Sequence, residues 1–577
     1  MTIFLKKYIN LNNFYDKLFI IFLLICVAII RLSGLDNNEL NSDEYWHLFV
    51  ANQSSVIDVL KAVSIYEIHM PLSYVIWYCM LKISDNQMWL RMSSFIPYLL
   101  LILSSHQFCK AFFNNRNLGL VLATMLTFAV GMTSISIVIR YYSLSILLIF
   151  WIIIFNCWFV KKSKQKYLIY YFIASLFLVL LNQFASIIIL CCGLVMLLKS
   201  LQNKKLFWSI LIGHFVLFFI LLLQTYLINL EAITDKLYKN NTDDLPVFII
   251  AFVNLPNLFI KFFFGDANEI QNYFLFTLIY IFYFLTFYFI SIFFIIRKNY
   301  FYLNIWFFSL FYIIFCSYFI DISFLFLFRR SIFLIIVFII IAIFPIKLFF
   351  ETNYFNDNSK KILNITKIIL LAISLYLFYQ NINNSYFRNI NFVNEEFESK
   401  EAFQKFDDIL KSNYQDDNNL VVISNNRMWK YLYNKSAKLE KINNNLGVLK
   451  FPNEKYVYVS YVNGRYLKYL VKDFDLKLFF DDIKKYAEKN KKYDQYKNIV
   501  LVELCKNNYN CVNVYNDYEE NKKLNNSMKL LVNYNELILK TNQFDYKSQT
   551  FKFDQILFFV KFDKNFLINY LYHEQEK

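Results

Sequence analysis

The sequence predicts a polytopic α-helical membrane protein with a soluble α/β or α+β domain at its C-terminal end. The chain has 577 residues, of which 58% are hydrophobic, a composition too apolar for a soluble protein of this length. The apolar residues form runs of about 20, the length of a helix that crosses a ~30 Å hydrocarbon core. From residue 385 onwards these runs stop, and charged residues and asparagine dominate.

Eleven apolar runs are predicted to span the membrane. They lie at 18–32, 92–110, 117–139, 141–160, 167–181, 184–199, 206–230, 272–296, 301–320, 331–350 and 362–380. The first run follows lysines and lacks a small-residue cleavage site, so it is interpreted as a retained helix. Lysine and arginine cluster at every second connection, which predicts a cytoplasmic N-terminus and an external C-terminal region.

The run from Pro71 to Ile83 is apolar but too short to be counted as a span. A helix of this length covers about 20 Å, and counting it would invert every later loop. We interpret it as an interfacial or re-entrant helix within a first external loop, residues 33–91. Lys82 and Arg91, which flank it, are interpreted as interface anchors. Backbone of this kind is tolerated where it lines a protein-enclosed cavity, and Pro246 to Gly265 is a second such segment.

The C-terminal region 385–577 is predicted to be a separate external domain, which leaves 1–384 as the transmembrane domain. Its strand-like runs lie at 420–424, 456–461 and 499–504, among helix-like stretches such as 395–410 and 479–489. Strands that alternate with helices are typical of α/β or α+β domains. Cys505 and Cys511 are the pair of cysteines in this polar region, and an external location would allow a disulfide between them.

Charge and glycine content exclude two broad functions. The net charge of +16 comes largely from lysine and arginine in the predicted cytoplasmic loops, so it does not indicate nucleic-acid binding. With only eight glycines, and neither a G-x-G-x-x-G nor a P-loop motif, the chain is not expected to be a nucleotide-driven pump.

Four polar clusters fall on the predicted external face. They are Asp43-Glu44, His69-Met70-Pro71-Leu72, Arg140-Tyr141-Tyr142 and Arg329-Arg330. Charged residues near membrane depth are costly and usually line a cavity. Arginines in such a cavity can hold a lipid-borne phosphate while a carboxylate activates an acceptor.

Each of these residues also has a purely structural interpretation. Asp43 could be a solvated loop acid, and Glu44 either supports Asp43 or is an acid in the first turn of a helix. His69, beside a proline, could cap a helix. Arg140 and Arg330 lie at span ends, where arginine commonly anchors a helix at the lipid headgroups.

The same segments resemble the GT-C superfamily of integral-membrane glycosyltransferases. The likeness is to the bacterial branch related to protein O-mannosyltransferases and to the aminoarabinose transferase of lipid A. Ser42-Asp43-Glu44-Tyr45 resembles the Asp-Glu pair of their first external loop. His69-Met70-Pro71-Leu72 resembles a His-Pro-Pro-Leu segment, with Met in place of the first Pro. Arg91-Met92-Ser93-Ser94 resembles an Arg-Leu-Pro-Ser segment, and Arg140-Tyr141-Tyr142 an Arg-x-Tyr segment.

The resemblance covers residues 18–200 in order and spacing, with two departures. Asn182-Gln183-Phe184 stands where these enzymes usually have Thr-His-Tyr, and Arg330-Ser331 keeps only the arginine of an Arg-Tyr segment. We therefore assign the family's roles to the residues of the Asp-Glu and Arg-x-Tyr segments, and we assign no role to Asn182.

The resemblance implies a hexosyl- or pentosyltransferase in the bacterial inner membrane. It would move a sugar from a polyprenyl-phosphate donor to a hydroxyl of a lipid, a glycan or a protein on the external face. Asp43 and Glu44 would be the catalytic residues, with Asp43 as the base. Residues that would bind the substrate or its lipid phosphate are His69, Arg140, Tyr141 and Arg330. No cofactor is certain, and a divalent metal ion on the two carboxylates is compatible with this scheme.

Two alternatives remain open. A transporter or flippase for lipid-linked glycans would also have many spans, but the sequence shows few charges within spans and no evident repeat. A polysaccharide polymerase acts on related substrates, but it would more usually carry its arginines in large later loops. Such a polymerase would also not need the Asp43-Glu44 pair in the first loop.

Overall fold

The computed structural model describes the N-terminal helices, one later helix and the strands of a C-terminal sheet. The described residues are 14–32, 42–66, 70–129, 131–183, 186–227, 334–351, 259, 281–283, 285, 286, 289, 290 and 375, together with the strands given below. The chain forms two compact units. One comprises residues 1–38 and 67–390, and the other comprises residues 39–66 and 391–577.

The helices with defined limits are numbered in chain order. They are α1 (Phe14–Leu32), α2 (Ser42–Ala51), α3 (Val56–Tyr66), α4 (Leu72–Leu81), α5 (Gln87–Phe112), α6 (Leu118–Phe128), α7 (Gly131–Ile137), α8 (Tyr142–Lys162), α9 (Gln165–Leu181), α10 (Ile187–Ser200), α11 (Lys204–Leu227) and α12 (Ile335–Glu351). Helices α2 and α3 belong to the second unit, and the others belong to the first.

Three helices among the described residues are long and apolar enough to cross a membrane. They are α5, α8 and the part of α11 from Lys204 to Gln224, which confirms the helical membrane class. Helices α1, α9, α10 and α12 coincide with four further predicted spans to within a few residues. The predicted spans at 272–296, 301–320 and 362–380 lie wholly or largely outside the described residues, as does Pro246 to Gly265.

The predicted span over 117–139 is not one continuous helix. Helix α6 ends at Phe128, Ala129 has an extended backbone with φ −63° and ψ 113°, and α7 begins at Gly131. A helix end leaves the carbonyl groups of its last turn without partners in the helix. At membrane depth other parts of the protein have to supply those partners.

Two side chains from other helices bind the carbonyl groups at this break. The Tyr98 hydroxyl of α5 donates to the Leu126 carbonyl oxygen. Arg31, in the last turn of α1, donates from Nη2 to the Thr127 carbonyl oxygen at 3.1 Å. The Arg31 side chain is 1% exposed, and its guanidinium carbon lies 5.7 Å from the centroid of the Tyr98 ring. Side chains from α1 and α5 thus supply hydrogen-bond donors to the carbonyl groups at the break in α6.

Helices α5 and α8 pack side by side and run parallel. Near their C-terminal ends, Lys161 Nζ donates to the Ala111 carbonyl oxygen at 2.8 Å. About one turn before Ala111 on α5, the Phe108 ring stacks on the Phe150 ring of α8 with centroids 4.4 Å apart. The contact near their N-terminal ends involves Ser94 and is described with the candidate site. Contacts near both ends thus fix the register of the two helices.

Polar contacts also join α9, α10 and α11. The Tyr171 hydroxyl donates to the Ile189 carbonyl oxygen at 2.9 Å and lies 3.0 Å from His214 Nε2. Gly193 gives this imidazole its room, because a Cβ atom there would lie 2.4 Å from His214 Nε2. Small residues and polar side chains of this kind are typical of helix contacts within membranes.

Helices α2 and α3 replace part of the predicted first external loop. At the start of helix α3 the Asp58 N–H donates to Ser55 Oγ at 3.2 Å, and Ser55 Oγ donates to Asp58 Oδ2 at 2.7 Å. The first of these bonds gives a partner to a backbone N–H that has none within the helix. Ser54 donates to the same carboxylate at 2.6 Å, and the two hydroxyls hold the pKa of Asp58 below its ordinary value.

The C-terminal strands of the second unit form one seven-stranded mixed sheet. They are β1 (Asn419–Ile423), β2 (Lys438–Lys441), β3 (Leu446–Lys450), β4 (Tyr458–Tyr461), β5 (Asn498–Cys505), β6 (Asp545–Phe551) and β7 (Gln555–Asp563). Their order in the sheet is β2-β3-β4-β1-β5-β7-β6. Strand β1 pairs in parallel with β4 and β5, and the outer pairs are antiparallel. Strands β1, β4 and β5 overlap the three strand-like runs of the sequence.

Replacing Arg31 with Gln should lower the free energy of unfolding by about 2 kcal/mol, because a charged donor to a buried carbonyl group is lost. The measurement is chemical denaturation of the protein in mixed micelles. Lys17→Gln is the matched control, since it removes the same charge from an exposed position of α1, and it should change stability by no more than about 0.5 kcal/mol. Equal effects of the two substitutions would contradict the bracing role of Arg31.

Candidate functional site

The Asp43-Glu44 pair lies in the first turn of helix α2. Glu44 is 0% exposed, and every following residue up to Ala51 is buried. These eight successive residues make more than two turns of 3.6 residues, so protein surrounds this part of the helix on all sides. Glu44 is therefore an acidic residue in the first turn of a helix, and it is buried in the protein and not exposed to solvent. Asp43 is placed by its backbone alone, and its role as base stays a prediction.

His47 is a candidate that the sequence did not single out. It follows Glu44 by three residues in α2, so both side chains leave the same face of the helix, and it is also buried. Carboxylates and imidazoles are seldom fully buried unless they interact with polar groups. The only signal was the Glu-x-x-His spacing, which becomes meaningful once residues 42–51 are known to be helical.

Arg140 and Tyr141 lie in the turn between α7 and α8, directly before the first residue of α8. The Arg140 N–H donates to the Val138 carbonyl oxygen at 2.7 Å, and the Tyr141 and Tyr142 rings meet edge to face with centroids 4.9 Å apart. Arg140 is 4% exposed, and both tyrosines are buried. The turn therefore holds its arginine within the protein.

The buried Ser94 hydroxyl joins two of the segments that the sequence singled out. Ser94 Oγ donates to the Val138 carbonyl oxygen at 2.5 Å and lies 2.9 Å from the carbonyl oxygen of Arg140, 46 residues away in the chain. The structure thus brings together the segments Arg91-Met92-Ser93-Ser94 and Arg140-Tyr141-Tyr142. Both lie at the N-terminal ends of the parallel helices α5 and α8.

The two ends of the α5–α8 pair differ in the solvent exposure of their positively charged side chains. At the C-terminal ends, Lys110, Lys161 and Lys162 are exposed, as expected of residues that reach the interface. At the N-terminal ends, Arg91 and Arg140 are 1% and 4% exposed. A headgroup anchor keeps its charged tip in the interface. The interpretation of Arg91 as an anchor is therefore wrong, and that of Arg140 is not supported.

The N-terminal end of α8 is suited to bind an anion. The unpaired N–H groups and the macrodipole give the start of a helix a partial positive charge. The Arg140 guanidinium, which presents up to five donors, belongs to the residue two positions before the helix. Phosphate oxygens are the acceptors that such a planar fork fits best.

Several residues that the sequence predicted for the site cannot be placed relative to the N-terminal ends of α5 and α8. His69, Arg330 and Cys511 lie outside the described residues, and Cys505 is the last residue of β5. The part of the chain that the structure describes contains no group of three or more His, Cys, Asp or Glu residues that could hold a metal ion. The metal on Asp43 and Glu44 therefore stays a hypothesis that rests on the sequence.

Replacing Ser94 with Ala should lower the free energy of unfolding by about 1 kcal/mol, because a buried carbonyl group of the 138–140 turn loses its donor. Denaturation in mixed micelles measures the change. The control is Ser104→Ala, since the Ser104 hydroxyl donates to Leu100 within α5 at 2.7 Å and joins no second element through that bond. A smaller loss for Ser94→Ala than for Ser104→Ala would show that the hydroxyl does not hold the turn.

Comparison with known proteins identifies no relative of this chain. No protein-family model matches it, and no curated protein matches it either. The likeness to GT-C enzymes therefore rests on the sequence segments named above, of which 91–94 and 140–142 meet through Ser94. What the chain does has to be inferred from its own residues.

Proposed function

We propose that the chain is an integral-membrane glycosyltransferase of the GT-C type. It transfers a sugar from a polyprenyl-phosphate donor to an acceptor hydroxyl of a lipid, a glycan or a protein on the external face of the bacterial inner membrane. The proposal includes the eleven-span topology, with the N-terminus in the cytoplasm and the C-terminal domain outside. Three described helices of membrane-spanning length support the membrane location.

The observation that carries the proposal is the buried Arg140 at the start of α8. Placing a guanidinium inside a protein costs several kcal/mol unless charged or polar groups compensate for the lost water. A phosphate group bound at the helix N-terminus would be a charged partner that fits the bidentate geometry of arginine. The exposed lysines at the opposite end of the same helices show that a cation at a span end does not have to be buried.

The chemistry follows from one carboxylate base and one bound phosphate. Asp43 accepts the proton of the acceptor hydroxyl while that oxygen attacks the anomeric carbon of the donor sugar. The bond from the anomeric carbon to the phosphate oxygen breaks, and the electron pair leaves with the polyprenyl phosphate. Arg140 and Arg330 stabilise the charge that develops on this phosphate. Attack opposite the leaving group inverts the configuration of the anomeric carbon.

An aspartate is chemically suited to the role of base. A carboxylate with a reference pKa near 3.9 is ionised at neutral pH and ready to accept a proton. Asp43 lies in the first turn of α2, directly before the buried Glu44. In this proposal Glu44 assists Asp43, and Tyr141 contributes with Arg140 to binding of the donor.

Replacing Asp43 with Asn should abolish transfer, because the amide keeps the shape and removes the base, a loss of about 100-fold or more. The measurement is mass spectrometry of envelope lipids, glycans and glycoproteins from cells that carry the wild-type chain, lack it, or carry the variant. A species heavier by one sugar residue should be present only with the wild-type chain. The control is Asp85→Asn, the same change at an exposed position, which should retain the product.

Two results would count against the proposal. One is an envelope that does not change when the chain is deleted. The other is full product with Asp43→Asn at equal protein level. If deletion stops the export of a lipid-linked glycan whose composition is unaltered, the chain is a flippase and not a transferase.

A further inference from the structure

The turn that joins α8 to α9 carries four lysines. Helix α8 ends at Lys162 and α9 begins at Gln165. Between them Ser163 has a left-handed backbone with φ 51°, a common way to end a helix. We call residues 161–166 the basic turn. Its four lysines are all exposed, and they are Lys161, Lys162, Lys164 and Lys166.

The length of α8 places the basic turn at the level of the lipid headgroups. Helix α8 is one of the described helices that can cross a membrane. Its 21 residues extend over about 31 Å, which matches the ~30 Å hydrocarbon core of a bilayer. Trp158 and Tyr167 flank the turn, with ring centroids 5.4 Å apart. Tryptophan and tyrosine are enriched at the interface between hydrocarbon and water. We therefore expect the ammonium groups of the turn beside lipid phosphates.

The same two rings carry the lysine side chains of the turn. Lys162 Nζ lies 5.9 Å from the centroid of the Trp158 ring and 5.7 Å from that of Tyr167. Lys166 Nζ lies 5.3 Å from the Tyr167 centroid. Lys161 Nζ instead donates to a carbonyl oxygen of α5. Two ammonium groups thus lie beside one tyrosine ring, where they repel each other, and a bound anion would offset that repulsion.

No carboxylate accompanies these lysines in the sequence. The chain has neither aspartate nor glutamate between Asp85 and Glu231, a stretch that contains α5 to α11. Lysine and arginine alone set the orientation of a membrane protein, and acidic residues contribute little to it. Orientation therefore accounts for the lysines of the turn but not for the missing acids. A surface that binds anions accounts for both.

We propose that the basic turn binds the headgroup of an anionic phospholipid. Clusters of about four or more lysines and arginines at the end of a membrane helix attract such lipids. The headgroup of phosphatidylglycerol has a net negative charge, whereas the choline group of phosphatidylcholine balances its phosphate. Lys162 and Lys166 bind the phosphate of the headgroup. This inference needs the membrane location alone and does not depend on the proposed glycosyltransferase function.

Native mass spectrometry of the full chain, released from neutral detergent micelles, tests the inference because it counts the phospholipids that stay bound. The probes are phosphatidylglycerol and phosphatidylcholine with the same acyl chains. The wild-type chain should bind phosphatidylglycerol about fivefold or more tightly than phosphatidylcholine. Equal affinity for the two lipids would overturn the inference.

The double variant Lys162→Gln with Lys166→Gln should reduce the preference for phosphatidylglycerol to less than about twofold, since both ammonium groups at the Tyr167 ring are lost. The control is Lys61→Gln with Lys82→Gln, which removes two exposed charges elsewhere. Lys82 is matched in its packing, because its Nζ lies 5.0 Å from the centroid of a tyrosine ring. This control should keep the preference within about twofold of the wild-type value.

A third variant separates charge from packing. Lys162→Arg with Lys166→Arg keeps both charges and should retain the preference for phosphatidylglycerol. Loss of the preference in this variant would show that the lysines act through their packing and would overturn the inference. Equal losses in the two glutamine variants would show a general attraction by net charge and would also overturn it. Displacement of the bound lipid by an excess of inorganic phosphate would assign the turn to a soluble anion instead.

Discussion

Enclosing a guanidinium within protein requires polar partners, and this requirement shapes the N-terminal end of the α5–α8 pair. Arg31, Arg91 and Arg140 are each at most 4% exposed. One face of α5 serves this region, because Tyr98 binds the broken α6 next to Arg31 and Ser94 binds the turn that carries Arg140. Hydrogen bonds in such an environment are strong when made and costly when missing. The turn before α8 consequently has a fixed position against α5.

The break between α6 and α7 belongs to the same arrangement. A continuous helix over 117–139 would present no carbonyl groups at its middle, and neither Arg31 nor Tyr98 would have these acceptors. The break also lets the chain form a short α7 and a separate turn ahead of α8. That turn is where Ser94 reaches the backbone of Val138 and Arg140.

The sequence predicted well what depends on local hydrophobic length. The runs that became α5, α8 and α11 are long and apolar, and their limits agree with the structure to within five residues. It could not predict the break in 117–139, because the groups that make a break tolerable come from Arg31 and Tyr98, far away in the chain. The prediction that Arg91 anchors the helix at the interface also failed, because the sequence does not show whether packing exposes or buries an arginine at the end of a span.

The segment around Asp43 shows the same limit. Two adjacent acids after a predicted span are typical of a polar loop, yet residues 42–51 form a helix that is buried from Glu44 onwards. This helix belongs to a unit that also includes residues 391–577, and a local sequence pattern does not show which segments bury a helix. That Glu44 and His47 share one helix face became visible only with the helix itself.

A structure of the chain with a bound polyprenyl phosphate tests the account most directly. Phosphate oxygens should lie about 2.8 Å from the guanidinium nitrogens of Arg140, at the N-terminal end of α8. A phosphate bound elsewhere on the protein, with Arg140 hydrogen-bonded to protein groups alone, would contradict the proposal.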